Sequence, residues 1–297
     1  MNCPICDSAA IDRLYRRNLP SARPGKYLIA EDVSGQCHDL FQCRACRHAF
    51  VRDKIYIAAV TRGYRHQPLD RTYLDEAEGR RKAAQRCLTR LEKHSGRPGK
   101  ILDIGCYAGL LLETAQKRGW TVAGIEDSRQ AVRYAGDNMP GGTIIGGRAE
   151  DVLQELTPEQ YDGVTLVDVI EHLEDPVAVM ERLHPRLAPQ GRLLISTPDI
   201  TSIMARLQKQ KWYAVLPSHI HLFSRQSLFL LLERTGFTVV ESGWQTRYFS
   251  ARYMLQRSYL SHRPVFRKFM NFPICSRLVL PYNVRDQQVV IARKAGA

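Results

Sequence analysis

Residues Ile101–Leu110 read ILDIGCYAGL: an apolar run that suits a strand buried on both faces, followed at once by a turn with glycines at 105 and 109. Outward from this stretch the chain alternates. A helical pattern over 110–118 gives way to TVAGI, then come a helix near 130–136, TII, YDGVTLV, a helix after Asp175, and GRLLIS. Strands and helices in this order build a parallel sheet covered on both faces, so a doubly wound α/β fold is expected. In EDPVAVMERLHPRL, Asp175 is placed to cap a helix that Pro176 opens. In SRQSLFLLLERTGFTVVESGW, Ser224 caps another, Gly236 ends it and a strand follows.

The 297 residues leave room for one main domain and a modest appendage. With 44% hydrophobic and 25% charged residues the composition is that of a soluble chain, and no apolar run reaches the roughly 18 residues of a membrane-crossing helix. The opening MNCPICDSAA lacks the layout of a secretory leader, and the eight cysteines suit metal ligands and reduced thiols better than a disulfide framework. A cytoplasmic location is expected. The net charge of +13 favours anionic partners, whether nucleic acid, phosphorylated metabolites or acidic lipid, without choosing among them.

CPIC and CRAC are two C-x-x-C knuckles with 36 residues between them. Cys3, Cys6, Cys43 and Cys46 complete a closed tetrahedral set, so a structural zinc and a zinc ribbon over residues 1–52 are expected, with Cys37 and His38 as substitute ligands. Residues 53–98 read as a helical linker, in which Leu74, Ala77, Ala84, Leu88 and Leu91 share a face and SGRPG ends the helix. Residues 99–297 form the main domain.

A dinucleotide fingerprint, G-x-G-x-x-G, would place glycine at 107, where this chain has Tyr107. Close phosphate approach is therefore not expected. Asp103 just before the turn suits a positively charged ligand, and Glu126 at the end of the next strand can accept two ribose hydroxyls. S-adenosylmethionine makes both demands. ILDIGCYAG, VAGIEDS, GGRAED and YDGVTLVDVIEHLEDP, in that order, resemble the successive motifs of the class I S-adenosylmethionine-dependent methyltransferases over about 100–245, with a return at the C-terminus. The resemblance implies a Rossmann-like sheet. It also implies that Asp103, Gly105, Cys106 and Gly109 shape the methionine side of the pocket, that Glu126 binds ribose, that Ala149 and Glu150 lie near adenine, and that Asp168 belongs with the cofactor residues. Tyr107 in place of a frequent glycine, and Arg148 in place of an acid, depart from the family pattern.

Methyl transfer asks the protein to hold an acceptor in line and, for a hydroxyl or acidic carbon, to remove a proton. His172, His219 and His221 are the catalytic candidates. Asp168, Glu171 and His172 resemble the E-x-x-E-H of ubiquinone-biosynthesis O-methyltransferases, which implies a magnesium ion there; the alternative is that Glu171 and His172 line the pocket structurally. In PSHIHLFS, His219 and His221 are expected to lie on opposite sides of the segment if it is extended, so that at most one faces the pocket. Before the final strand at VVIARK comes an insertion of about 246–286. Tyr248, Ala251, Leu255 and Tyr259 have helical spacing there, VFRKFM follows, and Arg247, Arg252, Arg257, Arg263, Arg267 and Lys268 are interspersed. It reads as a helical lid over the acceptor, an extra packed layer, or a peripheral membrane contact.

The function expected is methyl transfer to a small-molecule, glycan or lipid-linked acceptor. The alternatives are RNA methylation, since an N-terminal zinc module also resembles ribosomal-RNA guanine methyltransferases, and a non-catalytic S-adenosylmethionine-binding protein.

Overall fold

The computed structural model describes residues 2–19, 35–156, 159–256 and 272–296. Its N-terminal segment folds into three short antiparallel strands, β1 (Ile11–Tyr15), β2 (Leu40–Cys43) and β3 (Ala49–Val51). Three helices follow, α1 (Lys54–Tyr64), α2 (Arg71–Asp75) and α3 (Ala77–Ser95). Asp53 and Asp70 cap the first two by accepting backbone N–H groups that the first turn leaves unpaired.

Strand and helix then alternate: β4 (Lys100–Ile104), α4 (Leu110–Gln116), β5 (Thr121–Glu126), α5 (Arg129–Asn138), β6 (Thr143–Gly146), α6 (Ala149–Glu155), β7 (Tyr161–Val167), α7 (Pro176–Leu183) and β8 (Leu187–Pro198). Asp175 caps α7 through Ala178 N at 3.0 Å, with Pro176 in its first turn. After α8 (Ile203–Gln208) and the short β9 (His221–Leu222) come α9 (Arg225–Arg234) and β10 (Phe237–Trp244). Ser224 and Ser227 form a reciprocal capping box at the start of α9. The remaining elements are β11 (Arg247–Ser250), α10 (Ala251–Gln256), α11 (Pro273–Arg277), β12 (Val279–Tyr282) and β13 (Gln287–Lys294).

Seven strands make one sheet in the order β10-β13-β8-β7-β4-β5-β6. The strands from β6 to β8 run parallel, and β13 enters antiparallel between β8 and β10. The doubly wound α/β class read from the sequence is the architecture found. The strand order reverses between β4 and β7, which leaves a crevice beyond their carboxyl ends. Leu102, Ile104, Val164, Leu166, Leu193 and Ile195 are fully buried in the sheet.

Three sequence expectations meet a different arrangement. The segment 53–98 is more than a linker, because α3 buries Ala84, Cys87, Leu88 and Leu91 in one cluster with Ile101 and Leu112 of the sheet and α4. The N-terminal strands are joined to the main domain through β3, whose Ala49 and Phe50 pair with Leu222 and His221 of β9. The insertion expected to be helical from Tyr248 opens and closes on a two-stranded ribbon, Arg247 opposite Tyr282 and Ser250 opposite Val279. Pairing with β12 takes up the backbone of this short strand, whose side chains are half-buried up to the buried Ser250. Ala251, Arg252 and Leu255 lie in α10, whereas Arg257, Tyr259, Arg263, Arg267 and Lys268 lie outside the described residues. Among the described residues no helix is long and apolar enough to cross a membrane.

Because Leu88 is wholly enclosed between α3 and the sheet, Leu88→Ala is expected to destabilise the fold by about 2–5 kcal/mol in a denaturant titration. A cost below about 0.5 kcal/mol would return this helix to the status of a surface linker.

Candidate active site

The turn after β4 is shaped by close approach. Gly105 has φ +70°, and a Cβ there would lie 2.5 Å from Val169 Cγ2, so only glycine fits. Tyr107 also takes positive φ, 45°, unusual for a side chain of its size. Its backbone N–H donates to Glu126 Oε2 at 2.9 Å and its hydroxyl accepts from Asp70 N at 2.8 Å. Its ring also stands edge-on to Tyr73, 4.4 Å between centroids. These contacts hold the strained conformation. Cys106 is buried beneath the turn, and Gly109, with φ +77°, begins α4.

Asp103 and Glu126 end neighbouring strands and are both buried. Burial pushes the Asp103 carboxyl up to about 7, although Thr165 donates to its Oδ1 at 2.6 Å; its other oxygen has no partner among the described residues. Glu126 Oε1 accepts Ser128 N at 2.7 Å. Burial raises the Glu126 carboxyl above the usual range, against the pull of Ser128 N, of Tyr107 N on Oε2 and of the Tyr64 side chain from α1. Three donors on two oxygens leave the carboxylate one lone pair. On the other side of the crevice Ala149 starts α6, and Glu150 Oε1 accepts Glu174 N at 3.0 Å. Arg148 pairs with Glu174 at 2.8 Å, which ties this loop to the one after β7.

Asp168 follows β7 with φ 57° and accepts from Gln287 of β13. Its side chain reaches solvent, yet surrounding protein raises its carboxyl above the usual range against the pull of Arg247 and Arg80. Arg80 stacks on Tyr73 at 3.7 Å, and Arg247 stacks on Tyr213 at 4.4 Å while pairing with Asp286 at 3.0 Å.

Two residues past Asp168, a single 3-10 turn (Ile170–His172) presents Glu171 and His172. The carboxyl of Glu171 is buried, accepts Thr197 Oγ1 at 2.9 Å and is pushed up to about 8 by burial and by Asp168. His172 Nδ1 donates to Ser218 O at 2.9 Å, and His219 Nδ1 donates to Ala214 O at 2.8 Å. A carbonyl can only accept, so both imidazoles carry the proton on Nδ1 and leave the Nε2 lone pair free. Their rings meet edge-on at 4.6 Å. Burial holds both below the usual histidine range, His219 well below because His172 adds to the effect.

One ligand atom from each of Glu171, His172 and His219 lies within 4.8 Å of the others. The set expected around magnesium, Asp168 with Glu171 and His172, is not the one brought together: Asp168 turns to Gln287, and His219 takes its place. His221 is corrected as well. Alternation would leave positions 219 and 221 on one side, but β9 begins only at His221, whose ring is buried against His48, with His48 Nε2 3.0 Å from His221 Nδ1.

The second cluster is the four cysteines. Cys3 and Cys46 sulfurs are 3.6 Å apart, Cys6 and Cys43 3.5 Å, and all four fall within 4.8 Å. A tetrahedron with Zn–S bonds of about 2.3 Å has edges of about 3.8 Å, so the donors fit zinc. The hydrogen bond from Cys46 drives the Cys3 thiol down to about 5, and the same contact pushes Cys46 up. Crowded sulfurs ionise together only around a cation. The substitute ligands are engaged elsewhere: Cys37 with Gln210 at 3.5 Å, His38 with Asp53 at 3.2 Å.

Tyr64, Tyr73, Arg80, Tyr213, Arg247 and Gln287 are the site residues that sequence spacing does not single out. They come from α1, α2, α3, β11, β13 and the loop before β9, and no local pattern marks them.

Comparison with known proteins agrees with this geometry. A family model described as a methyltransferase domain matches residues 77–242, more than half of the chain. The ubiquinone biosynthesis O-methyltransferase of Pseudomonas syringae pv. tomato is 36% identical over 102 residues, 33% of this chain and 44% of that protein. The mitochondrial ubiquinone biosynthesis O-methyltransferase of Schizosaccharomyces pombe is 29% identical over 153 residues, 49% and 54% of the two chains. The chain thus spans about half the length of the curated relatives it matches. Among solved structures, a SAM-dependent methyltransferase from Archaeoglobus fulgidus shares the fold with a TM-score of 0.52 at 19% identity, covering 76% of this chain and 100% of that one. The turn, the sheet order and the matched model converge, and the chain belongs to the methyltransferase-domain family, in its class I, S-adenosylmethionine-dependent form.

Proposed function

We propose that this chain, in the cytoplasm, methylates a hydroxyl of a small-molecule acceptor, free or carried on a lipid or glycan, with the His172–His219 pair taking the proton. The observation that carries this reading is the pair itself: two neutral imidazoles, each fixed by a backbone carbonyl, present free Nε2 lone pairs beside Glu171. When bound, S-adenosylmethionine supplies a methyl group already activated on a sulfonium. The chain's residues do the rest. Asp103, with one oxygen free and its carboxyl poised near 7, faces the cationic end of the cofactor, and the lone pair left on Glu126 receives a ribose hydroxyl. Gly105, Cys106 and Gly109 shape the wall between them, Ala149 and Glu150 flank adenine, and Asp168 stands where cofactor and acceptor sites meet. An acceptor hydroxyl loses its proton to an imidazole Nε2 while its oxygen takes the methyl group. Tyr73, Tyr213 and the stacked guanidiniums of Arg80 and Arg247 wall that end of the crevice against water. The relatives named for O-methylation in ubiquinone biosynthesis support a hydroxyl over other acceptors. RNA methylation, and cofactor binding without turnover, are the readings these features favour less.

A second reading of the cluster rests on its donor set. Two imidazoles and one carboxylate within coordinating reach suit zinc, manganese or iron better than magnesium. Glu171, His172 and His219 would then hold an ion that helps the hydroxyl ionise. Metal content separates the two: one zinc per chain, lost in Cys43→Ser, belongs to the cysteine site alone, whereas a second equivalent lost in His219→Gln belongs to this cluster.

His219→Gln and His172→Gln are each expected to lower kcat by about 10²–10⁴ while leaving calorimetric cofactor affinity unchanged. The assay is transfer of labelled methyl to separate small-metabolite, lipid and RNA fractions; label entering RNA alone would overturn the acceptor class.

A pH dependence follows from Asp103. Its carboxyl is raised in the free protein and a bound cation favours the ionised form, so binding expels a proton when the pH lies below about 7. Cofactor affinity should therefore rise about tenfold from pH 6 to pH 8, with proton release measurable by calorimetry in two buffers. In Asp103→Asn the slope should vanish.

A further inference from the structure

The segment 209–224 carries His219, and a run of its contacts goes to the N-terminal module and to the helix α1 that follows it. Val215 O accepts Gly35 N at 2.8 Å, Pro217 O accepts the Tyr56 hydroxyl at 2.8 Å, and Ile220 O accepts Val51 N at 2.9 Å. Those carbonyls bracket Ser218, whose own carbonyl fixes His172. Beyond them β9 pairs with β3, and the Ser224 hydroxyl donates to Cys46 O at 2.6 Å, directly on the second knuckle. His48, two residues past Cys46, is completely buried against His221 and Phe223. Trp212, Ala214, Val215, Ile220 and Leu222 share one apolar cluster with Cys37, Leu40, Ala49 and Val51.

We propose that the four-cysteine module is the positioning wall of the active site: metal held by Cys3, Cys6, Cys43 and Cys46 sets β3, β3 sets β9, and β9 holds His219 and, through Ser218, His172. The module touches no reacting atom. It acts through the backbone of 214–222, so its loss should disorder the histidine pair while the cofactor end of the crevice, built by β4, β5 and the turn at 105–109, remains. The proposal rests on reading His172 and His219 as the proton-handling pair only for its functional consequence; the positional claim stands apart from it.

The test uses the full chain with ¹⁵N-labelled histidine. In zinc-loaded protein, His172 and His219 are expected to show the Nδ1-protonated form with a bare Nε2. After chelation, and in Cys43→Ser, His219 should average between its two tautomers and His172 should follow, while S-adenosylmethionine affinity changes by less than about threefold in calorimetry. Tyr56→Phe, which removes one hydroxyl from Pro217 O and leaves the cysteines alone, should broaden the His219 signals without metal loss. This keeps the proposal open to refutation if Cys43→Ser fails to fold. Unchanged histidine signals in metal-free protein would overturn it, and so would parallel loss of cofactor binding, which would make the metal a prop for the whole fold. Should His219→Gln retain turnover, the catalytic reading fails while the histidine spectra still report on the wall.

Discussion

The carboxylate of Glu126 is the contact on which the β4–β5 end of the crevice depends. Almost wholly enclosed, it would be costly to bury without partners; accepting Tyr107 N from the turn after β4 and Ser128 N from the loop after β5 offsets part of that cost, and burial still holds its carboxyl above the usual range. One acid thereby fixes the turn after β4 and the start of α5 relative to each other. Because the turn is held at its amide, Tyr107 can occupy a left-handed conformation that its side chain resists, and its hydroxyl in turn receives Asp70 N at the start of α2. The helices before the sheet are therefore organised around the same acid as the sheet itself.

A similar economy governs the opposite end. β13 runs between β8 and β10, and its first residue, Gln287, donates to Asp168 and to Ser196. The Tyr213 hydroxyl bonds the Gln287 side chain, and Arg247 bridges Tyr213 and Asp286. This end of the crevice is thus a polar network laid across five separate parts of the chain, in which the named groups hold one another with little freedom.

What could be read from the sequence was what is local. The glycine turn, the acids ending β4 and β5, the caps at Asp175 and Ser224 and the two knuckles are each defined within a few residues, so spacing reveals them. The doubly wound class followed from the alternation of strand and helix. Arg80, Tyr73, Tyr213 and Arg247 were illegible for the converse reason, since each becomes a site residue only when α2, α3 and the β11–β12 ribbon fold over the crevice. Gly79 shows how tight that closure is: a Cβ there would lie 2.3 Å from Tyr248 O. For the paired histidines in PSHIHLFS, alternation would have put both on one side; they part because His221 enters β9 opposite Phe50 and meets His48, while His219 lies in the loop before it beside His172.

That pairing also imposes an order of assembly. The sulfurs that meet in the knuckles lie 43 and 37 residues apart in sequence, whereas His48 and His221 are separated by 173. Going from the shorter loops to the longer costs only about 1 kcal/mol in closure entropy, but contacts so distant in sequence form late because they must wait for much of the chain to become compact. Loop closure thus favours the meeting of the four sulfurs ahead of the docking of β9 on β3, so the knuckles can take shape on a chain whose sheet is not yet complete.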